Sequence, residues 1–169
     1  MFFVISIGSR RLEYVACTAN PDTGWPTQQA RNLLIDLDDR GHRPRILIHD
    51  RDPKFSRAFD AIFASESISV IRTPIQAPNA NAHAERWVGS ARRECLDRLR
   101  IVHRSQLERV LRVYVHHYNS HRPHRALDLR APDPSATPAA RGDPPASAAA
   151  IRGRDLLGGL LHEYEAAAA

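Results

Sequence analysis

The chain has 169 residues, with 43% hydrophobic and 25% charged side chains, enough for one domain with a real core and hardly for two. No apolar run nears the roughly 20 residues that span a bilayer, and the apolar start, Met1 to Ile7, has no basic stretch before it, so it reads as a strand and not a signal peptide. Cys17 and Cys95, far apart and outside any motif, exclude a disulfide framework and a cysteine zinc site and suit two small buried thiols.

The formal charge is +5 and the pI about 9.9, which favours a polyanionic partner. The charge is concentrated: between His83 and Arg125 stand ten arginines against four acids, a net of +6. The rest of the chain is close to neutral.

Residues 2–7, a turn at Gly8-Ser9-Arg10, and alternating residues 11–17 predict a β-hairpin. Pro21 and Gly24 break the chain. From Trp25 to Asp38, Ala30, Leu33, Leu34 and Leu37 recur at helical spacing, and Gly41 to Pro44 ends that helix. Arg45 to His49 reads as a short strand of the buried, parallel type. A helix carrying Phe55, Phe59, Ile62 and Phe63 follows, then a strand over 67–71. Residues 73–82, with Pro74 and Pro78, form a loop. A helix over about 81–100 places Trp87, Ala91, Cys95 and Leu99 on one face, and another over about 105–120 starts with a Ser105/Glu108 capping box. Residues 131–150, mostly Ala and Pro, read as a linker. The block 151–165 regains leucines and reads as a docking or partner-binding segment, so the expected division is a core over 1–130, a linker over 131–150 and a tail over 151–169. Mixed α/β, with an antiparallel start and parallel later strands, is the class this implies.

Two carboxylates sit at element ends. Asp50 follows a parallel-type strand, where such sheets bind ligands, and Glu85 opens the helix at which the arginine-rich segment begins. Hard divalent cations take such oxygen ligands. Taken alone, a turn-capping Asp and a dipole-complementing Glu are the favoured readings.

The surrounding motifs shift that balance. Ile48-His49-Asp50-Arg51-Asp52-Pro53-Lys54-Phe55 resembles the second-Asp motif of the retroviral-integrase superfamily. Asn79 to Trp87, around Glu85, resembles the Glu motif of bacterial insertion-sequence transposases, and Asp50 and Glu85 are 35 positions apart. Tyr118-Asn119, followed by Arg122-Pro123-His124, resembles the motif that closes these catalytic domains. The resemblance covers about residues 1–133 and implies an RNase H-like mixed sheet flanked by helices. It also implies DNA cleavage and strand transfer through two Mg²⁺ or Mn²⁺ ions, with Asp50 and Glu85 as catalytic metal ligands. Asp52 is the less favoured ligand and the expected cap of the helix bearing Phe55 and Phe59.

Arg86 and Arg92 are expected to meet DNA, Arg92 lying two helical turns from Glu85. Arg122 and His124 either meet DNA or tie the last helix to the sheet, with a lean to the second. His83 is open between a phosphate contact and no such role, and Trp87 is core. The resemblance further implies a homo-oligomer acting on DNA in the bacterial cytoplasm, with no membrane association.

The same resemblance places a first catalytic Asp on a strand before the hairpin, and residues 1–169 contain no such residue. Glu13, Asp22, Asp36, Asp38 and Asp39 lie in unsuitable places. The expectation is a domain lacking its first strand, poorly stable alone, with unpaired strand edges and no strand-transfer activity. A non-catalytic DNA-binding remnant is the alternative.

Overall fold

The computed structural model describes residues 1–22, 24–74, 81–133 and 151–166. The strands are β1 (Phe2–Ile5), β2 (Leu12–Ala16), β3 (Ile46–His49), β4 (Ser69–Arg72), β5 (Ile151–Leu156) and β6 (Leu161–Ala166). The helices are α1 (Gly24–Asp39), α2 (Arg57–Ser65), α3 (Ala82–Glu94) and α4 (Arg104–Ser120). The chain divides into two compact units, one of Met1–Ile5 with Glu13–Trp87, the other of Ser6–Leu12 with Val88–Ala169. Most of the expected linker, residues 134–150, and residues 75–80 of the expected loop lie outside the described residues.

In the first unit, α1 starts where the Asp22 carboxylate accepts the Trp25 N–H (2.7 Å), a capping bond to an otherwise orphaned donor. It ends at Gly41, whose φ of +63° lets the chain turn back through His42 N–H to Leu37 O (2.9 Å). Helix α2 presents Phe59 and Phe63, and α1 presents Ala30, Leu33 and Leu37, to a common core with Phe2 and Ile68. Phe2 is its hub, meeting the rings of Tyr14, Trp25, Phe55 and Phe59 edge-on at 6.0–6.3 Å, the arrangement favoured by the ring quadrupole.

Strands β3 and β4 are parallel, pairing Leu47 with Val70 and Ile48 with Ile71. The strand was expected to be buried on both faces, and only one face is covered. Leu47 and Val70 pack on the core, whereas Ile46, Ile48 and Ile71, on the opposite face by strand alternation, are 54%, 41% and 46% exposed. The class is mixed α/β, with four helices and small sheets among the described residues. The strands pair as β1-β2, β3-β4 and β5-β6, three separate two-stranded sheets. No described strand hydrogen-bonds β1-β2 to β3-β4, which leaves each an open edge.

The expected helix over 81–100 ends early. At Cys95 the backbone leaves helical geometry (φ −141°), and Leu96–Arg98 tighten into a 3-10 turn. Trp87, Ala91 and Cys95 are nonetheless buried. The Ser105/Glu108 capping box does not form. His103 is the N-cap residue of α4 and its side chain makes no capping bond; Glu108 pairs instead with Arg104 one turn back (2.7 Å), and Gln106 accepts the Val102 N–H (3.0 Å). The 151–165 block is an antiparallel hairpin, turned through Leu157, Gly158 and Gly159, all at positive φ. Cys17 and Cys95 are both buried, as expected. No described helix is long and apolar enough to cross a membrane.

Because Phe2 joins four other rings, Phe2→Ala should cost about 3–5 kcal/mol, the usual range for emptying a buried aromatic site. Phe2→Leu should cost markedly less. Urea unfolding followed by tryptophan fluorescence tests this, since Trp25 lies against Phe2; equal costs for the two variants would show that shape at this site is immaterial.

Candidate functional site

Asp50 directly follows β3 and is exposed. Its Oδ1 accepts the Asp52 N–H (3.1 Å), and Asp52 Oδ1 in turn accepts the Lys54 N–H (2.9 Å). These two successive side-chain turns carry the chain away from the strand. Asp52 was expected to cap α2. Ser56 does so instead, accepting the Phe59 N–H, because α2 begins at Arg57 and Asp52 is one turn too early. Below Asp50 the buried ring of His49 meets the Asp60 carboxylate through Nε2 (3.0 Å), and Asp60 also accepts from Arg72 Nε (3.2 Å). Arg51 Nε donates to Thr73 O (2.9 Å). The ends of β3 and β4 are thus fixed beneath Asp50 by charge-assisted bonds.

Glu85 lies in the first turn of α3, where a carboxylate complements the helix dipole, and is exposed. Arg86 beside it is exposed. Trp87 is buried at 1% against Phe3, with ring centroids 4.4 Å apart. Asp50 and Glu85 belong to the same compact unit. Among the described residues neither Asp50 nor Glu85 belongs to a group of three His, Cys, Asp or Glu able to hold one ion. As hard oxygen donors the two suit Mg²⁺ or Mn²⁺, but they supply two ligands of the three that the resemblance implies.

The basic residues divide by environment. Of the ten arginines between 83 and 125, all except Arg122 are exposed. Arg92, in the last turn of α3, donates to Asp97 (3.2 Å) with both side chains more than half exposed, a pairing of little worth in water. Arg93, Arg98 and Arg122 line a cleft of about 580 Å³ together with His117 and His162.

The closing motif is bound into the second unit. Asn119, buried, gives both ends of its amide to one residue. Its Oδ1 accepts the Leu12 N–H (2.9 Å), and its Nδ2 donates to Leu12 O (3.0 Å), as a neighbouring strand would. Arg122 donates to the Glu94 carboxylate from Nη2 (2.6 Å) and from Nε (3.0 Å), and its guanidinium lies 5.5 Å from the Tyr118 ring centroid. Tyr114 donates its hydroxyl to Glu94 Oε2 (2.7 Å). His124 sits edge-on to Tyr118 at 4.7 Å, and its Nε2 is buried with no hydrogen-bond partner among the described residues. Burial and the Arg122 charge hold its pKa below the ordinary value, so the ring is neutral near pH 7.

Sequence reasoning did not single out Glu94, Tyr114, His116, His117, His121 or Glu163. The signal was present for some of them: His117 and His121 are four apart and share a helix face. The pairing with Glu163 spans 46 positions from His117 and left no local mark.

Burial pushes the Glu94 pKa up, while donation from Arg122 and Tyr114 and the Arg122 charge pull it down further, leaving it below the ordinary 4.5. Its stabilisation is therefore complete above the unfolded value and is lost as pH falls through the lowered folded one. Wild type should exceed Glu94→Gln in stability at neutral pH, with the gap narrowing below about pH 4.5. Denaturant unfolding of both proteins across that range checks it; a gap independent of pH would contradict it.

Residues 66–132 match the family model of the integrase core domain. The match takes in Glu85, the arginine-rich helices and the closing motif, and supports the integrase/transposase superfamily for that part. Asp50 lies outside it. No curated protein matches the chain.

Proposed function

We propose that this chain carries part of a DNA integration or transposition site that works by metal-dependent phosphoryl transfer. The observation that carries the reading is the integrase core match over residues 66–132, which brackets an exposed Glu85 at a helix start. Asp50, at the end of a parallel strand in the same unit, is the proposed partner carboxylate. The RNase H-like arrangement and an insertion-sequence origin belong to the same proposal, as do a homo-oligomeric assembly and action on DNA in the bacterial cytoplasm.

In this reading Asp50 and Glu85 are two of three ligands for Mg²⁺ or Mn²⁺, which would activate the nucleophile and stabilise the leaving oxygen of an in-line displacement at phosphorus. Arg86 and Arg92 hold backbone phosphates; both are exposed, and Arg92 has only a solvent-screened partner. Arg122 and His124 act instead by holding the end of α4, since Arg122 is committed to Glu94 and the His124 ring is neutral and enclosed.

One observation favours a second, non-catalytic reading for residues 1–169. Neither Asp50 nor Glu85 lies in a three-donor group among the described residues, and on this reading the chain binds DNA without cutting it.

Two assays on the 169-residue chain separate the readings. Duplex binding should fall steeply with salt, and Arg86→Ala and Arg92→Ala should each lower the slope of log affinity against log salt by about one. Supercoiled-plasmid nicking with Mn²⁺ that disappears in Asp50→Asn and Glu85→Gln would establish catalysis. Binding that ignores metal and survives Glu85→Gln, with no nicking, would establish the second reading. An absence of salt-dependent DNA binding would sink both.

A further inference from the structure

Glu163 is 3% exposed, a depth at which a carboxylate charge needs a compensating cation. It reaches that depth by strand alternation: Leu161 and Glu163 share the face of β6 that is buried, while Tyr164 on the other face is 70% exposed. Its hydrogen-bond and ion-pair partners among the described residues are two histidines. His117 Nδ1 is 3.2 Å from Oε1, and His121 Nε2 is 3.7 Å from Oε2. His116 completes the cluster, its ring centroid 5.7 Å from that of His121. Ligand atoms of His116, His121 and Glu163 all lie within 4.8 Å of one another, the one such group of three among the described residues.

We infer that His116, His121 and Glu163 form a binding site for a zinc-type divalent ion that fastens β6 to the C-terminal end of α4. Two imidazoles and one carboxylate are a donor set suited to Zn²⁺ and unsuited to Mg²⁺. Three protein ligands leave the fourth tetrahedral position for water. Zinc bonds of about 2.0–2.2 Å place donors roughly 3.3–3.6 Å apart, so the three groups must close by about an ångström. His116 is exposed and can swing in by side-chain rotation. His117, in hydrogen-bond contact with Glu163, is placed to orient the carboxylate as a supporting partner. The site lies within the second unit, whereas Asp50 and Glu85 lie in the first, and the inference does not rest on the proposed DNA chemistry.

The test is calorimetric titration of the chelator-stripped 169-residue chain with Zn²⁺, with thermal melting as a second readout. One ion should bind per chain and raise the melting temperature, and excess Mg²⁺ should not displace it. His116→Gln, an exposed change that spares the core, and His121→Gln should each weaken Zn²⁺ binding about tenfold or more and abolish the melting shift. Glu163→Gln should do the same. Asp50→Asn and Glu85→Gln should leave Zn²⁺ affinity unchanged, which separates this site from the proposed catalytic one. Unaltered Zn²⁺ affinity in both histidine variants would overturn the inference, as would loss of binding in Asp50→Asn.

Discussion

A half-buried carboxylate at the end of α3 organises the second unit. Glu94 is met by the Arg122 guanidinium through two nitrogens and by the Tyr114 hydroxyl, so one group draws on residues 20 and 28 positions away. Its two oxygens accept three donors, which fixes where α3 stops and where the chain beyond α4 must return. Charge-assisted bonds of this kind, partly shielded from water, are worth more than their exposed counterparts. Removing one partner costs more than the bond itself, because a desolvated charge is left behind. The same enclosure explains why burial and Glu94 together push the Cys95 thiol up to about 11, making that cysteine inert.

The closing motif follows from this constraint. With Arg122 on Glu94, Tyr118 lies beneath the guanidinium and His124 packs on Tyr118. Asn119 then stands where its amide can pair with both backbone groups of Leu12. Residues conspicuous in the sequence for polarity and charge thus serve as a clasp. The exposed arginines of α3 and α4, Arg92 and Arg104 among them with partners screened by solvent, are groups able to meet an external polyanion. In the first unit the division is similar: His49, Asp60 and Arg72 fix the strand ends, and Asp50 above them is left accessible.

The order of the first eight elements was legible because hydrophobic periodicity reports local burial. Ala30, Leu33 and Leu37 lie on the core face of α1, and Phe59 and Phe63 on that of α2. Boundaries were less legible. Trp87, Ala91, Cys95 and Leu99 keep a helical spacing through a point where tertiary contacts to Glu94 end the helix, and spacing carries no record of Arg122. The capping box failed for a related reason: Glu108 had a closer cation in Arg104. The hairpin over 151–166 was hidden because its buried face alternates Leu161 with a charged Glu163, which reads as polar until the histidines of α4 are seen beside it. Asp50 and Glu85 stood out through their neighbours in sequence and not through any property of a lone Asp or Glu.

Whether Asp50 and Glu85 converge on one cation is the point on which the functional account turns. Mn²⁺-induced line broadening of backbone amides in the isotope-labelled chain measures it directly, because the effect falls steeply with distance from the ion. Low Mn²⁺ should broaden the amides of residues 50–52, 54 and 82–86 together, and Asp50→Asn should remove the effect from both segments. Broadening of one segment without the other, or of neither, would contradict it.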